Sequence, residues 1–371
     1  MKPIRSLRAS ACAMLLLAPA ALPQAQDPAP PPTILQLQMR LKDPATDAAT
    51  REPIAAELMV RGLAGSIALF DTARTSTEQR RRDWQRDLER FRAAFAKAVP
   101  KVHRQLHDKA RTKRIEQLRE QAAAVYREGQ PTKDRIVKDL DPIRAELMEL
   151  VLLDPRAVFA AHPDLAHAAS SLRAAHADLG AWFDLYLRAM QVADIDPAGR
   201  KHVDKFVQLE PVPGIETELD ASCRTLALAS MPLPGRDSQV LLRNQTLAAT
   251  TDPEEFAGTE LLNRIRIAMG RPAVAIDPKL GDASRTHSED MRKLGFFSHE
   301  SPLPGKRTFG ERAAAAGTSA SAENIAWGQS HGAGAIEAWW HSPGHHVNMM
   351  GGHARTGLGR SETHWTQLFG G

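Results

Sequence analysis

Cysteine is almost missing from this chain: two in 371 residues, Cys12 and Cys223. Ala9, not leucine, stands three residues before Cys12, which argues against a lipoprotein signal. Once an N-terminal leader is removed, Cys223 is alone and no internal disulfide can form, so an exported chain of this kind must hold together by packing. Long apolar runs are missing too. The only candidate, Ala11 to Leu22, is short, follows Lys2, Arg5 and Arg8, and ends among small residues. That is the pattern of a secretory signal peptide over residues 1–25, not of a membrane span. No large excess of one charge exists. The formal net charge is +4, of which the leader carries +3, residues 27–257 about −1 and residues 258–371 about +2. Without a basic patch of some size, nucleic-acid binding is not expected. There is no Gly-x-Ser-x-Gly elbow. There is no His-Glu-x-x-His pair either, which excludes a zincin protease by motif. No internal repeat is evident.

What is present falls into segments. Residues 26–45, with Asp27-Pro28-Ala29-Pro30-Pro31-Pro32, read as a proline-rich extended linker. Residues 46–191 read as a helical domain, a bundle or an elongated helical hairpin. Trp84, Leu88, Phe91 and Phe95 recur at helical spacing up to Pro100, which is expected to interrupt the helix. A second stripe runs from Val102 to Tyr126, and further helices are expected at about 133–152 and 164–191. His103 and His107, at i and i+4, lack a third ligand at matching spacing and read as a solvated helix face. Trp182, Phe183, Tyr186 and Leu187 read as core or interface. Residues 192–250 are mixed and turn-rich, with a short helix expected near 237–249. Cys223 reads as an inert buried thiol. No function is legible in this half, and any protein partner of the helical region is unknown.

After residue 257 the composition changes: eight of fourteen histidines and four of six tryptophans lie there. Imidazole and carboxylate bind metals and move protons. Helices are expected at 254–269, 278–294, 308–316 and about 331–340. Strands are expected at 356–359 and 363–369, and a small-residue loop leading to Glu323-Asn324. His287 lies on the inward face of its helix. Ser298, Ser301 and Ser342 stand near histidines, but a turn serine such as Ser342 is usually a local backbone partner.

Five motifs follow one another: Leu262-Asn263-x-x-Arg266, then Gly295-Phe296-Phe297-Ser298-His299, then Glu323-Asn324-Ile325-Ala326, then Trp340-x-Ser342-Pro343-Gly344-His345-x-x-Asn348, and finally Gly357-Leu358-Gly359 with Trp365-Thr366-Gln367. In that order they resemble the CAP family, also called the SCP domain (cysteine-rich secretory, antigen and pathogenesis-related proteins), in its bacterial form. The resemblance covers about residues 258–371, and the domain is taken as 251–371. It implies an α+β fold, an α-β-α sandwich, after the mostly α N-terminal region. It also implies a cleft of two histidines and two glutamates. His299, Glu323 and His345 match three of these. The second glutamate, three residues after a tryptophan in the family, is replaced by Pro343. Glu337, a turn earlier, is not supported by the match. The disulfides of the eukaryotic members are absent.

Two histidines and a carboxylate suit zinc with an open position, or another divalent cation held through water. His287, His341, His346 and His353 stand near enough in sequence to support the ligands, with His346 expected to be exposed. His287, Asn324, Trp340, Ser342 and Asn348 are read as structural support, Asn348 by satisfying backbone in the turn. The alternative for the triad is structural: Glu323 pins loops through a histidine and backbone groups. Three functional readings follow. The first is a secreted module whose cleft takes a metal, a small molecule, a lipid or a cell-wall ligand. The second is a secreted, metal-assisted, peptidase-like hydrolase that uses a metal-activated water with Glu323 as base. The third is a structural or adhesive envelope protein.

Overall fold

The computed structural model describes residues 30–212, 219 and 221–371. The signal peptide expected over residues 1–25 lies outside the described residues.

The helical region begins inside the stretch expected as linker. Helix α1 (Ile34–Lys42) starts there because Thr33 and Gln36 form a reciprocal capping box. Its Leu37 and Leu41 are fully buried. Next come α2 (Ala48–Met59) and α3 (Gly62–Leu106), whose 45 residues span about 68 Å at 1.5 Å each. Pro100 does not interrupt α3 as expected. The proline leaves the Ala96 carbonyl without its helical donor, a loss of about 3 kcal/mol. Burial of Phe91, Phe95, Val99 and Val102 on either side offsets it. The chain breaks instead at Asp108, whose side chain caps α4 (Lys109–Arg127) by accepting from the Arg111 N–H. After α4 come the single turn α5 (Lys133–Arg135) and a π-helical turn at Ile136–Leu140. Then follow α6 (Asp141–Val151), α7 (Pro155–Ala161), α8 (Pro163–Ala193) and α9 (Pro197–Val203). Helices α3 and α8 are the main packed pair. Between them Asp178 pairs with both Arg51 and Arg80, and both guanidiniums lie over the buried Trp182 ring. The turn-rich stretch carries α10 (Ala221–Ser230) and α11 (Asp237–Thr246).

The C-terminal part is α12 (Pro253–Ala268), β1 (Ala275–Ile276), α13 (Pro278–Leu294), α14 (Phe309–Ala315), β2 (Ala322–Trp327), α15 (Gly332–Trp340), α16 (Pro343–Met350), β3 (Arg355–Ser361) and β4 (His364–Gly370). The sheet order is β1-β3-β4-β2. Strands β1 and β3 are parallel and the other pairs antiparallel. Strand residues alternate between faces. Gly357 and Gly359 meet α13 so closely that a Cβ at either would lie about 2.1 Å from a backbone nitrogen of Gly281 or Arg285. Leu358 points the other way, toward Gly258 of α12. Helices α13 and α14 thus cover one face, and α12, α15 and α16 the other. This is the α-β-α arrangement the resemblance implies. Strand β2 is not read from the sequence, where a small-residue loop is expected to lead to Glu323-Asn324. Ala-Glu-Asn-Ile-Ala-Trp has one β-branched residue and no clean alternation, and the strand exists because it pairs with β4 along its length, Glu323 opposite Leu368.

The motif residues outside the cleft are scaffold. Both polar atoms of the Asn263 side chain pair with the Val274 backbone. Arg266 is fully buried and donates to the carbonyls of Pro272, Met349 and Gly351, tying α12 to the end of α16. Burial lowers its pKa to about 10, so the group stays charged. One apolar core runs without a break from Trp84 and Leu118 through Leu147 to Leu262, Trp340 and Phe369. A second core lies around Leu37, Phe70 and Tyr186.

Candidate functional site

Strand β2 is the outer strand of the sheet, and the site lies against it. Glu323 sits on its α14-facing side with a side chain only 1% exposed. Two groups share its carboxylate. Arg312, on α14 and equally buried, donates to Oε2. His299 Nδ1 stands 2.8 Å from Oε1. A carboxylate oxygen only accepts, so the bond places hydrogen on Nδ1 and leaves Nε2 as the free nitrogen of that ring. The His299 side chain is half exposed. Arg312 also donates to the His299 carbonyl, so one guanidinium fixes both the carboxylate and the loop that carries its imidazole.

His345 stands across from His299, with ring centroids 6.3 Å apart. Burial lowers the pKa of His345, and the neighbouring His299 adds to this. The three residues expected to form the cleft therefore do come together. The supporting residues act as follows. His287 is fully buried, with Nε2 3.0 Å from the Ser298 carbonyl, which anchors the loop before His299. Burial lowers its pKa, and the Arg312 charge adds to this. Asn348 donates to the Glu323 carbonyl and to Asn324 Oδ1, so it satisfies β2 and not its own turn. Asn324 reaches the His345 carbonyl and Gln367. Ser342 and Pro343 start α16, with Pro343 in the first turn. No carboxylate occupies that position.

Glu337 lies elsewhere. Its two oxygens accept from Arg144 of α6 at 3.0 and 2.8 Å. His341 faces Asp141 of α6, and Asp141 also accepts from the Trp340 indole. His346, expected to be exposed, is fully buried. Its Nδ1 is 2.7 Å from the Trp340 carbonyl and its Nε2 2.8 Å from the Tyr126 hydroxyl of α4. The correction has a simple geometric cause. Consecutive residues of a helix point about 100° apart, so His345 faces the cleft while His346 faces the helical region. His353 stacks on Phe369.

Both oxygens of Glu323 already accept hydrogen bonds, one of them from a buried guanidinium. Among the described residues, no group of three or more His, Cys, Asp or Glu could hold a metal ion. Glu323 orients His299, and the His345 ring stands beside it. Trp327, 61% exposed at the end of β2, packs on Phe297 and stacks on His364. Arg312 was missed by sequence reasoning. Nothing marks a helical arginine as a buried partner until β2 brings Glu323 against it.

The model of the cysteine-rich secretory protein family, CAP, matches residues 259–369. The uncharacterized protein YkwD of Bacillus subtilis (strain 168) is 34% identical over 118 residues, 30% of this chain and 44% of that protein. The uncharacterized membrane protein YlbC of the same organism is 29% identical over 111 residues, 30% of this chain and 32% of that protein. A crystal structure of an extracellular protein containing an SCP domain from Bacillus anthracis str. Ames is 31% identical, covering 32% of this chain and 40% of that one, with a TM-score of 0.30. The chain thus spans less than half the length of each. No described helix is long and apolar enough to cross a membrane. The C-terminal third of the chain is a CAP domain.

Proposed function

We propose that this is a secreted binding protein whose CAP cleft holds a small polar ligand between His299 and His345. The observation that carries the reading is the burial of Glu323 between Arg312 and His299. A carboxylate 1% exposed and held between a guanidinium and an imidazole is shielded from solvent, and so poorly placed to activate water as a general base. It is well placed to fix an imidazole. The neutral ring of His345 and the free Nε2 of His299 offer a ligand one fixed hydrogen-bonding pair. The exposed Trp327 and Phe297 pack together as an apolar surface at the other end of β2 from Glu323. Such a site suits a fragment with polar groups on a flat or ring-shaped body, as a cell-wall sugar-peptide has.

The test uses the full chain and two probes, a disaccharide-peptide wall fragment and zinc chloride, followed by calorimetry. The wall fragment is expected to bind the wild type and to bind His299→Ala at least tenfold more weakly. Zinc is expected to give the same heats with both proteins. A zinc site lost in His299→Ala would contradict the reading and restore the metal. Failure of the wall fragment to distinguish the two proteins would contradict the ligand class.

A further inference from the structure

A cavity away from Glu323 opens where α6, α7, α8 and α10 meet α12 of the CAP domain. It has a volume of about 860 Å³, within the range of roughly 300–1,000 Å³ usual for ligand pockets. It shares no residue with the His299–Glu323 cleft. One wall is apolar, with Leu152, Phe159 and Leu228. Its charges are unbalanced: four arginines (156, 173, 224 and 264) line it, against Glu149 and Asp154. Arg156 is paired with Asp154, and Arg173 has a partner of its own. Arg224 and Arg264 differ. Neither makes a hydrogen bond or ion pair with any described residue. Arg264 is partly buried on α12; burial disfavours its charge, the charges of Glu260 and Asp154 favour it, and that of Arg224 opposes it. One turn before Arg264, the Glu260 carboxylate accepts from Thr225 Oγ1 at 2.7 Å. Burial pushes the pKa of this carboxyl upward, while the Thr225 hydroxyl and the charges of Arg264 and Arg224 act against that shift, so one carboxylate is shared between two guanidiniums.

Two arginine charges lining one cavity beside apolar side chains, with one shared carboxylate near them, favour an added anion. We propose that this cavity binds a single-chain anionic amphiphile, its hydrocarbon chain along Leu152, Phe159 and Leu228 and its carboxylate or phosphate between Arg224 and Arg264. The site exists only where both parts of the chain meet, since Arg264 comes from the CAP domain and the apolar wall from the helical region.

Calorimetry on the full chain tests this with laurate and dodecyl phosphate below their micelle concentrations, and with dodecanol and acetate as probes that lack the charge or the chain. At least one of the two anionic amphiphiles is expected to bind at least tenfold more tightly than dodecanol and acetate. The tighter of the two identifies the head group. Arg264→Met is expected to weaken that binding about tenfold or more, as loss of a charge-assisted hydrogen bond does. Arg224→Met replaces an exposed residue and gives the same direction even where Arg264→Met fails to fold. His299→Ala is expected to leave the affinity unchanged, which separates this site from the cleft. The proposal is overturned if neither amphiphile binds, if dodecanol binds as tightly, or if both arginine variants that fold keep wild-type affinity.

Discussion

Glu323 illustrates how little a side chain's identity says about its task. As a residue type it offers a ligand, a base or an ion-pair partner, and burial decides among them. An ionised carboxylate 1% exposed needs compensation. Arg312 supplies the charge, and His299 takes the remaining oxygen. Removing one partner strands the other in a dry environment, whereas removing both strands neither. Arg312→Met is therefore expected to destabilise the protein by about 3–5 kcal/mol, measured by urea denaturation. The double variant Arg312→Met with Glu323→Met is expected to lose clearly less. Additive losses would mean that the pair is not the self-compensating unit described. Glu323 was legible as a cleft residue through its motif. Its engagement by Arg312 was not, because that needs a strand the local sequence does not announce.

At the scale of elements, α15 and α16 are held from outside the CAP domain. Asp141 takes the Trp340 indole and His341, Arg144 takes Glu337 and lies 4.6 Å over the Trp340 ring, and Tyr126 takes His346. His346 bonds the Trp340 carbonyl through Nδ1, so its Nε2 accepts from Tyr126, a pattern that belongs to the neutral ring. Burial holds its pKa at about 4, against 6.5 for a free histidine. The folded protein thus resists a proton that the unfolded chain accepts. Stability from this group is complete above pH 6.5, falls as the pH drops from there, and stops falling below about 4. The full span is worth about 3 kcal/mol. Urea midpoints of wild type and His346→Gln should converge as the pH falls from 7.5 to 4, and parallel curves would count against the buried neutral ring. The histidine cluster was visible in the sequence. Its division between cleft and docking surface was not, since neighbouring residues on α16 serve different partners and those of His341 and His346 lie about 200 residues away. Helix positions were readable from apolar spacing. Pro100 misled because long-range burial of α3 outweighs one lost backbone bond.

At the scale of the molecule, the CAP domain is used on two sides. One side docks on the helical region through a continuous apolar core. The other carries the cleft at the β2 edge, with His345 reaching it from a helix whose next residue is fixed to α4. A proline-rich start, a helical middle and a compact end were all legible from composition. The junction that joins the last two was not, because it is built from pairs such as Tyr126–His346 and Arg144–Glu337 that no local pattern marks. The account rests most on the state of the two cleft imidazoles, which nitrogen NMR of the histidine rings in the full chain observes directly. Neutral His299 is expected to carry hydrogen on Nδ1 and to lose that preference in Glu323→Gln, while His345 takes up its proton at a lower pH than the 6.5 of a free histidine. A His299 ring with hydrogen on Nε2, unchanged in Glu323→Gln, or a His345 that takes up its proton at or above that pH, would contradict the account.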